Sequence, residues 1–410
     1  MTQRLYYDNA YLTEFEGKVL ECRSGEEGFW VRLDRSAFYP TSGGQPHDTG
    51  VLLGDEGEVA RINDVIVEEG EVWHVANRPF LVGQTVRGRI DWARRLDHMQ
   101  QHAADHMIAG TLFRRFGGVT IGLHESEEVS TIDVAMPDGA TRIGDKDILE
   151  VEEEVNRQIQ KDVPIRCWFP GAEELETLPL RKKPSVSDHV RIVAIGDTEM
   201  VPCGGTHPSS AGQIGLVKIT GVAPARGKMR VSFLAGMRAF RDYQACHQAA
   251  HRAAALLSAG IDRLPEFVGT LRDQLKETSL ELTRLKRERL LGNVPSMIER
   301  AAILPDGVRL VEGILESEGG LLRDLVSRLI EAPDVVALLG VPRDGEYAFV
   351  FGRSQGVKWD MGALMRQAAE KTGGKGGGRP DFAQGGGSET MLTEAKCLME
   401  VQYSEVEGNQ

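Results

Sequence analysis

The amino-acid sequence predicts a multidomain α+β protein whose first region is a small β-barrel. Its 410 residues exceed the roughly 100–200 residues of an ordinary domain. The spacing of apolar residues changes from alternation to a helical period at Trp92, and a long helical repeat begins near residue 240. We therefore expect four regions, with boundaries at 1–91, 92–240, 241–295 and 296–410.

Residues 1–91 have the pattern of an all-β region. Short runs such as KVLECR, FWVRLDR and EVWHVA alternate apolar and polar residues, and Gly, Asp and Pro separate them. Several short strands joined by frequent turns are typical of a small barrel, so the sequence predicts an N-terminal β-barrel subdomain.

Residues 92–240 combine helices and strands. The stretch RRLDHMQQHAADHMIAGTLFRRF has a helical period, and residues 145–161 predict a second helix. The runs VSTIDVAM, RIVAIG, GLVKITGV and KMRVSFLAG predict strands. This mixture indicates an α+β domain that ends near residue 240.

Residues 241–295 predict an antiparallel coiled hairpin of two helices. Apolar residues recur at steps of three and four on both sides of an Ala-Gly break at 259–260. Such a seam is typical of a spacer or a dimer arm. Its residues are Phe240, Tyr243, His247, Ala250, Ala254, Leu257, Leu264, Val268, Leu271, Leu275, Thr278, Leu282 and Leu285.

Residues 296–410 predict a C-terminal α/β domain. Apolar runs such as DVVALLGV and EYAFVFGRS alternate with the amphipathic stretches GGLLRDLVSRLIEA and MGALMRQAAEKT. Within this region, residues 373–387 read GGKGGGRPDFAQGGG, which has the composition of a loop and carries two cations, Lys375 and Arg379.

The overall composition restricts the function. Hydrophobic residues make up 41% and charged residues 27% of the chain, which is enough to bury real cores. The net charge of −13 argues against a surface built wholly to bind nucleic acid, so any RNA contact must be local. The sequence contains neither an apolar run of about 18 residues nor a basic-then-apolar leader. Because the five Cys are also scattered, we expect a cytoplasmic protein without a disulfide framework.

Two pairs of metal-ligating residues stand about a hundred residues apart. His102 and His106 are one helical turn apart, so both imidazoles lie on one face of the helix. Cys203 and His207 flank two glycines, and positive φ at these glycines would turn both donors inward. Three imidazoles and one thiolate favour tetrahedral Zn²⁺. Each pair alone also fits ordinary packing, and His98 is an alternative ligand.

The segment FYPTSGGQP, residues 38–46, predicts a small binding site. Two adjacent glycines and a proline fix a turn whose N–H groups can face a ligand, while Thr and Gln add neutral hydrogen-bonding groups. Such a lining suits recognition of a hydroxyl or an ester, although the pattern alone also fits an ordinary hairpin turn. The predicted substrate-binding residues are Thr41, Gly43, Gly44 and Gln45.

Together these motifs resemble the editing region of alanyl-tRNA synthetase and of its free-standing relatives, the AlaX proteins. The resemblance is carried by FYPTSGGQ, by GLHESEEVSTID, by RIVAIGDTEMVPCGGTH, and by the spacing of Arg94, Met99, His102 and His106. The segment 373–387 resembles the glycine-rich signature of the C-terminal DHH-associated domain. Because the β region starts almost at Met1, we expect an ATP-independent, long-form AlaX protein without an aminoacylation domain.

The resemblance implies hydrolysis of the ester that joins a wrong amino acid, chiefly serine and also glycine, to alanine tRNA. It assigns zinc binding to His102, His106, Cys203 and His207, and it identifies 92–240 as the editing domain. Whether His207 stays bound to the metal remains open, and no residue is assigned as a general base.

Basic residues cluster beside the second metal pair. Residues 181–240 contain nine basic and three acidic residues, and we expect the acceptor end of tRNA to approach there. An ordinary solvated face is the alternative. The C-terminal region is expected either to bind tRNA or to join two chains as a homodimer. The predicted RNA contacts are Arg181, Lys182, Lys183, Arg191, Lys228, Arg230, Lys375 and Arg379.

Two other functions remain compatible with the sequence. The first is a zinc-containing tRNA-binding protein without hydrolytic activity, in which the metal is purely structural. The second is a zinc hydrolase of small aminoacyl esters. Retention of both metal pairs together with FYPTSGGQ favours the editing hydrolase over either of them.

Overall fold

A computed structural model describes residues 1–25, 28–55, 57–184, 189–316, 319–343 and 345–407, with only the backbone beyond Gln402. The chain forms two compact units, Met1–Ala253 and Ala254–Gln410. Within the described ranges, no helix combines the length and the apolar character needed to cross a membrane.

Six antiparallel strands of the first unit close into a barrel in the order β2-β3-β7-β6-β5-β8. The strands alternate as predicted: along β8 every second residue is buried, so Val86 and Ile90 point into the apolar interior. This confirms the predicted barrel. The elements are β1 (Gln3–Arg4), α1 (Leu5–Asp8), β2 (Glu14–Gly25), β3 (Gly28–Leu33), β4 (Arg35–Ser36), β5 (Gly50–Gly54), β6 (Val59–Glu68), β7 (Glu71–Ala76) and β8 (Thr85–Ile90).

Helix α2 (Trp92–Phe116) follows the barrel and forms the centre of the first unit. The side chain of Asp91 caps it by accepting a hydrogen bond from the N–H of Arg94, and it ends at Gly117 with φ 69°. Its central turns are buried, and Met107 and Leu112 belong to the apolar core. The histidines on these turns are therefore enclosed by protein.

The rest of the first unit packs around α2. Strands β14-β15-β10-β9 form an antiparallel sheet, and β11-β12-β13 form a smaller one. The elements are β9 (Val119–Glu125), β10 (Ser130–Ala135), α3 (Asp145–Gln160), β11 (Ile165–Trp168), α4 (Ala172–Thr177), β12 (Ile192–Ile195), β13 (Glu199–Pro202), β14 (Val217–Ala225), β15 (Lys228–Ala235) and α5 (Gly236–Leu256).

The second unit is built on a six-stranded sheet in the order β16-β17-β18-β19-β21-β20. Only β17 and β18 pair in parallel; the other described pairs are antiparallel. The elements are α6 (Leu264–Gly292), α7 (Val294–Glu299), β16 (Ala302–Ile303), β17 (Arg309–Ile314), α8 (Gly319–Leu329), β18 (Val335–Arg343), β19 (Glu346–Arg353), α9 (Met361–Thr372), β20 (Lys375–Gly378), β21 (Phe382–Gly387) and α10 (Thr390–Glu407).

The glycine-rich segment 373–387 forms strands β20 and β21, not the loop that its composition predicts. The reason is close packing against α9. A Cβ at Gly376 would lie 2.8 Å from Cγ of Met365. A Cβ at Gly385 would lie 2.6 Å from Sδ of the same methionine. Glycine at these positions lets the helix approach the strands closely.

The predicted coiled hairpin corresponds to α5 and α6, and both are helical. None of the residues of α6 is buried, and the exposed fraction of Leu271, Leu275 and Leu282 is 50–71%. Packing of the two helices along a common seam, like the four domain boundaries, stays a prediction.

Candidate metal centre and substrate loop

Two parts of the first unit bring four metal-ligating side chains together. Helix α2 supplies His102 and His106, and the turn after β13 supplies Cys203 and His207. One ligand atom from each residue lies within 4.8 Å of all the others. The Sγ of Cys203 is 3.1 Å from Nε2 of His102 and 3.4 Å from Nε2 of His207. The two sequence pairs therefore form one cluster.

The Cys203–His207 turn is fixed by its neighbours. The guanidinium of Arg191 donates hydrogen bonds to the carbonyl oxygens of Cys203 and Gly205, at 3.1 and 2.7 Å. Neither glycine of the turn has positive φ. The prediction that positive φ explains these glycines is therefore wrong. A Cβ at Gly205 would lie 2.7 Å from Nε2 of His102, which shows that glycine is needed there for close approach.

The electrostatics of the cluster favour the ligand forms of Cys203 and His207. Burial raises the pKa of the Cys203 thiol, but the three nearby imidazoles lower it well below its ordinary value. Burial lowers the pKa of His102, but Cys203 and Glu125 together raise it well above its ordinary value. Burial brings the pKa of His207 down to about 3. Metal binding requires a thiolate and neutral imidazoles, so Cys203 and His207 are already in their ligand forms, whereas His102 must release a proton when a metal binds.

The residues present fit a divalent transition metal. His102, His106 and His207 are buried, and Cys203 is partly buried. Both ring nitrogens of His106 and Nδ1 of His207 lack a hydrogen-bond partner within the protein. Buried polar atoms are rarely left unpaired, and a bound cation would satisfy one ring nitrogen of His106.

The segment FYPTSGGQ forms a tight hairpin turn at the barrel. Ser42 and Gln45 exchange backbone hydrogen bonds of 3.1 and 3.0 Å, and Gly43 and Gly44 between them have φ of 60° and 89°. Positive φ at both central residues demands glycine. Thr41 and both glycines are exposed, whereas Gln45 is buried. The turn therefore presents a backbone edge and a hydroxyl at the surface.

Gln45 faces the metal turn. Its Nε2 donates to Oγ1 of Thr206 at 2.7 Å, and its Oε1 accepts from the N–H of Thr206 at 3.0 Å. The structure thus links the predicted substrate loop directly to the residue that precedes His207. The sequence signal for this link was weak, because a lone Thr inside the metal motif predicts no partner.

Two acidic residues near the metal ligands have no role assigned from the sequence. Glu125, at the end of β9, contacts His102 and His98, so His98 faces this carboxylate and is not part of the four-donor cluster. Asp105 is buried, and burial raises its pKa to about 6 although His106 and His102 lower it.

Comparisons with known proteins find relatives over 94% of the chain. Three family models match: class II (A) tRNA synthetases at residues 3–94, the second additional domain of threonyl and alanyl tRNA synthetases at 190–232, and the DHHA1 domain at 310–403. The alanyl-tRNA editing protein AlaX-L of Pyrococcus horikoshii is 28% identical over 410 residues, which cover 94% of each chain. The chain is a homologue of AlaX-L.

The AlaX homology extends to a larger protein. The alanine–tRNA ligase of Pyrococcus abyssi is 32% identical over 94% of this chain, but the match covers 42% of the ligase. The chain thus spans about two fifths of the length of the curated ligases that it matches. The crystal structure of the C-Ala domain of Aquifex aeolicus alanyl-tRNA synthetase is 30% identical over 22% of this chain and 87% of that domain, with a TM-score of 0.21.

The basic residues of this AlaX homologue fall into two groups. Arg191 is buried and donates to backbone carbonyls of the metal turn, and the side chain of Arg181 is 9% exposed and paired with Glu199. These guanidinium groups are therefore absent from the exposed basic surface that the charge count predicted. Arg230 is exposed but paired with Asp133. The remaining predicted RNA contacts are exposed or partly exposed: Lys182, Lys183, Lys228, Lys375 and Arg379.

Proposed function

We propose that this protein is a trans-editing hydrolase that deacylates alanine tRNA carrying serine, and also glycine, with Zn²⁺ as its cofactor. One observation carries the proposal: three imidazoles and one cysteine sulfur form a cluster, and Thr206 within its Cys203–His207 turn is hydrogen-bonded to Gln45 of the glycine turn. Similarity to an alanyl-tRNA editing protein over 94% of both chains supports it.

The chemistry of amino-acid selection explains why such an enzyme is needed. An active site that accepts alanine cannot exclude the smaller glycine by size, and it rejects serine only weakly because one hydroxyl is the whole difference. A second site that hydrogen-bonds a hydroxyl reverses this preference. The exposed Thr41 hydroxyl beside the Gly43–Gly44 backbone supplies groups of the required kind.

The proposed roles divide between the two parts of the site. His102, His106, Cys203 and His207 hold the ion, which when bound supplies Lewis-acid chemistry at the ester. Thr41 and the backbone of the glycine turn orient the aminoacyl group. Gln45 holds that turn against Thr206, so the aminoacyl group and the metal ligands keep a fixed relation.

The proposed partner is tRNA, in the cytoplasm. Lys182 and Lys183 are exposed on the segment that leads to the metal turn, Lys375 is exposed on strand β20, and Arg379 is exposed between β20 and β21. Lysine and arginine at such positions neutralise phosphates. We also propose that the C-terminal region can join two chains as a homodimer. Analytical sedimentation of the full chain measures its mass in solution and tests this.

The test is a deacylation assay with alanine tRNA charged with serine, glycine or alanine. The purified full chain is used as prepared, after chelation, and after restoration of Zn²⁺. We expect hydrolysis of seryl- and glycyl-tRNA, sparing of alanyl-tRNA, loss with the chelator and recovery with Zn²⁺. Cys203→Ala should abolish the activity, whereas Cys246→Ala, at an exposed cysteine on α5, should not.

Three results would contradict the proposal in different ways. Equal hydrolysis of correct and incorrect esters would exclude editing. Tight tRNA binding without hydrolysis at saturating protein would indicate a binding protein with a structural metal. Hydrolysis of small aminoacyl esters that is unaffected by tRNA would indicate a small-ester hydrolase.

A further inference from the structure

Glu125 is a buried carboxylate beside the four-donor cluster. Its side chain is fully buried at the end of β9, where one oxygen, Oε1, lies 2.9 Å from Nδ1 of His102. The other oxygen, Oε2, lies 3.5 Å from Nδ1 of the buried His98. A carboxylate without water costs several kcal/mol unless polar partners surround it, so this arrangement calls for a role.

The contact with Glu125 decides which nitrogen of His102 is available to a metal. A carboxylate oxygen accepts hydrogen bonds, so the proton of the imidazole belongs on Nδ1. Nε2, which faces Sγ of Cys203 at 3.1 Å within the cluster, is then the nitrogen that a metal ion would bind in place of a proton. With the proton on Nε2 instead, His102 would present N–H to the metal position and leave Glu125 unsatisfied.

Glu125 also touches the substrate loop. Its backbone N–H donates to the carbonyl oxygen of Gly44 at 3.4 Å, and a Cβ at Gly44 would lie 2.9 Å from the carbonyl oxygen of Leu123. The end of β9 therefore supports the glycine turn with its backbone while its Glu125 side chain orients a ligand of the metal cluster.

We propose that Glu125 is a positioning residue of the metal centre, which fixes the tautomer and ring orientation of His102 while its other oxygen lies 3.5 Å from Nδ1 of His98. The inference rests on the metal set of the proposed function. Carboxylates that hold a ligating histidine in this way typically change metal affinity by about 10–100-fold when they are removed.

The test measures metal affinity and ligand geometry in the full chain without using catalysis. Zn²⁺ affinity is determined by competition with a chelating indicator, and Co²⁺ is substituted to record its visible absorption spectrum. We expect Glu125→Ala to weaken Zn²⁺ binding about 10–100-fold and to change the Co²⁺ spectrum. Glu125→Gln keeps an acceptor oxygen without the charge and should restore part of the affinity.

Two controls separate positioning from a general loss of folding. Glu127→Ala changes an acidic residue two positions away whose side chain is 83% exposed, and it should leave affinity and spectrum unchanged. Thermal unfolding of each metal-free protein shows whether a variant folds. His98→Gln should weaken Zn²⁺ binding less than Glu125→Ala, because Oε1 of Glu125 would still meet His102.

The outcomes distinguish this inference from the function on which it rests. If the wild-type chain binds neither Zn²⁺ nor Co²⁺, the proposed metal centre fails and the role of Glu125 fails with it. If the wild-type chain binds both ions and folded Glu125→Ala and Glu125→Gln match it in affinity and spectrum, the positioning role alone is overturned.

Discussion

Gln45 and Thr206 are joined by two hydrogen bonds in the interior of the first unit. Nε2 of Gln45 donates to Oγ1 of Thr206 at 2.7 Å, and the N–H of Thr206 donates to Oε1 of Gln45 at 3.0 Å. Both residues are fully buried. Because Gln45 ends the glycine turn and Thr206 adjoins His207, the pair couples the proposed substrate loop to the metal turn.

Thr206→Val should lower deacylation and leave the bound zinc unchanged. Valine keeps the shape of threonine but leaves the amide of Gln45 without its acceptor, at a cost of about 1–3 kcal/mol. The loop is then held by one hydrogen bond, and the aminoacyl group loses its fixed position. Deacylation kinetics with seryl-tRNA and zinc analysis of the same preparation check this.

Thr177→Val is the matched control for this substitution, since Thr177 is exposed at the end of α4 and bonds only the local carbonyl oxygen of Glu174. It should retain full activity. If zinc content and activity of Thr206→Val fall together, Thr206 supports the metal turn itself. That result would contradict a role of Thr206 confined to holding the substrate loop.

The metal cluster was predictable because its spacing rules are local. A helix places residues four apart on one face, and a short turn between two donors brings them together, so both pairs are visible without knowledge of the fold. Glu125 was not predictable. In GLHESEEVSTID it is one of four acidic residues, and only the pairing of β9 with β10 and its position beside α2 separates it from Glu127.

Charge counting predicted a basic surface but not which cations are free. Arg181 and Arg191 contribute to the positive sum of their segment, yet one is paired with Glu199 and the other holds backbone carbonyls. The composition of residues 373–387 predicted a loop, because glycine has a low propensity for strands. The strands form there since Gly376 and Gly385 let Met365 pack closely, which is a tertiary effect.

Replacement of metal donors should remove the zinc. Wild-type protein is expected to hold about one ion per chain, as the four donors form one cluster and zinc takes four ligands, and the double variant Cys203→Ala, His207→Ala should hold almost none. Elemental analysis after dialysis measures this. Chelation should lower the melting temperature of the wild type and leave that of the double variant unchanged, because a ligand that binds only the folded state stabilises it.

The matched control is Cys167→Ala with His124→Ala, a Cys–His pair outside the cluster. This control should keep its zinc. Zinc retained at the wild-type level after loss of Cys203 and His207 would rule out the cluster as the binding site.

Asp48→Asn should destabilise the first unit by about 3–5 kcal/mol. Asp48 and Arg95 form an ion pair with both side chains fully buried, and Nε of Arg95 lies 2.9 Å from Oδ1 of Asp48. Loss of the carboxylate charge leaves the guanidinium buried with carbonyl partners only, those of Ala10 and Ala37. Urea unfolding followed by circular dichroism measures the change.

The exposed pair Arg87–Glu16 provides the comparison, with side chains 58% and 70% exposed. Arg87→Gln should change stability by less than about 1 kcal/mol because water screens this pair. Equal effects of the two substitutions would mean that burial does not determine the contribution of the Asp48–Arg95 pair.

Substitution of Lys182 and Lys183 by Ala should weaken tRNA binding and its dependence on salt. Both lysines are exposed. Each phosphate contact contributes a slope of roughly 0.7–0.9 in a plot of log affinity against log salt, so the double variant should lower the slope by about 1–2. Fluorescence titration of labelled tRNA at several salt concentrations measures both quantities.

Lys146→Ala is the control for surface charge, because Lys146 is 89% exposed on the acidic helix α3. It should leave the slope unchanged. If the lysine pair and Lys146 affect binding equally, the segment before the metal turn is not a specific tRNA contact.

His74→Gln should flatten the pH dependence of stability between about pH 6.5 and pH 4. His74 is fully buried in the barrel, where Nδ1 donates to the carbonyl oxygen of Val31 and Nε2 accepts from Ser36, and burial lowers its pKa to about 4. In the unfolded chain the pKa is about 6.5, so the unfolded state binds the proton first as the pH falls. The stabilisation is therefore complete above pH 6.5 and declines toward pH 4, by up to about 3 kcal/mol.

Urea midpoints at pH 7.5, 6.0, 5.0 and 4.5 measure this effect. The midpoints of His74→Gln and the wild type should converge as the pH falls, whereas those of the exposed His124→Gln should equal the wild type throughout. A constant gap between His74→Gln and the wild type at every pH would show that the pKa of His74 is the same in the folded barrel and in the unfolded chain.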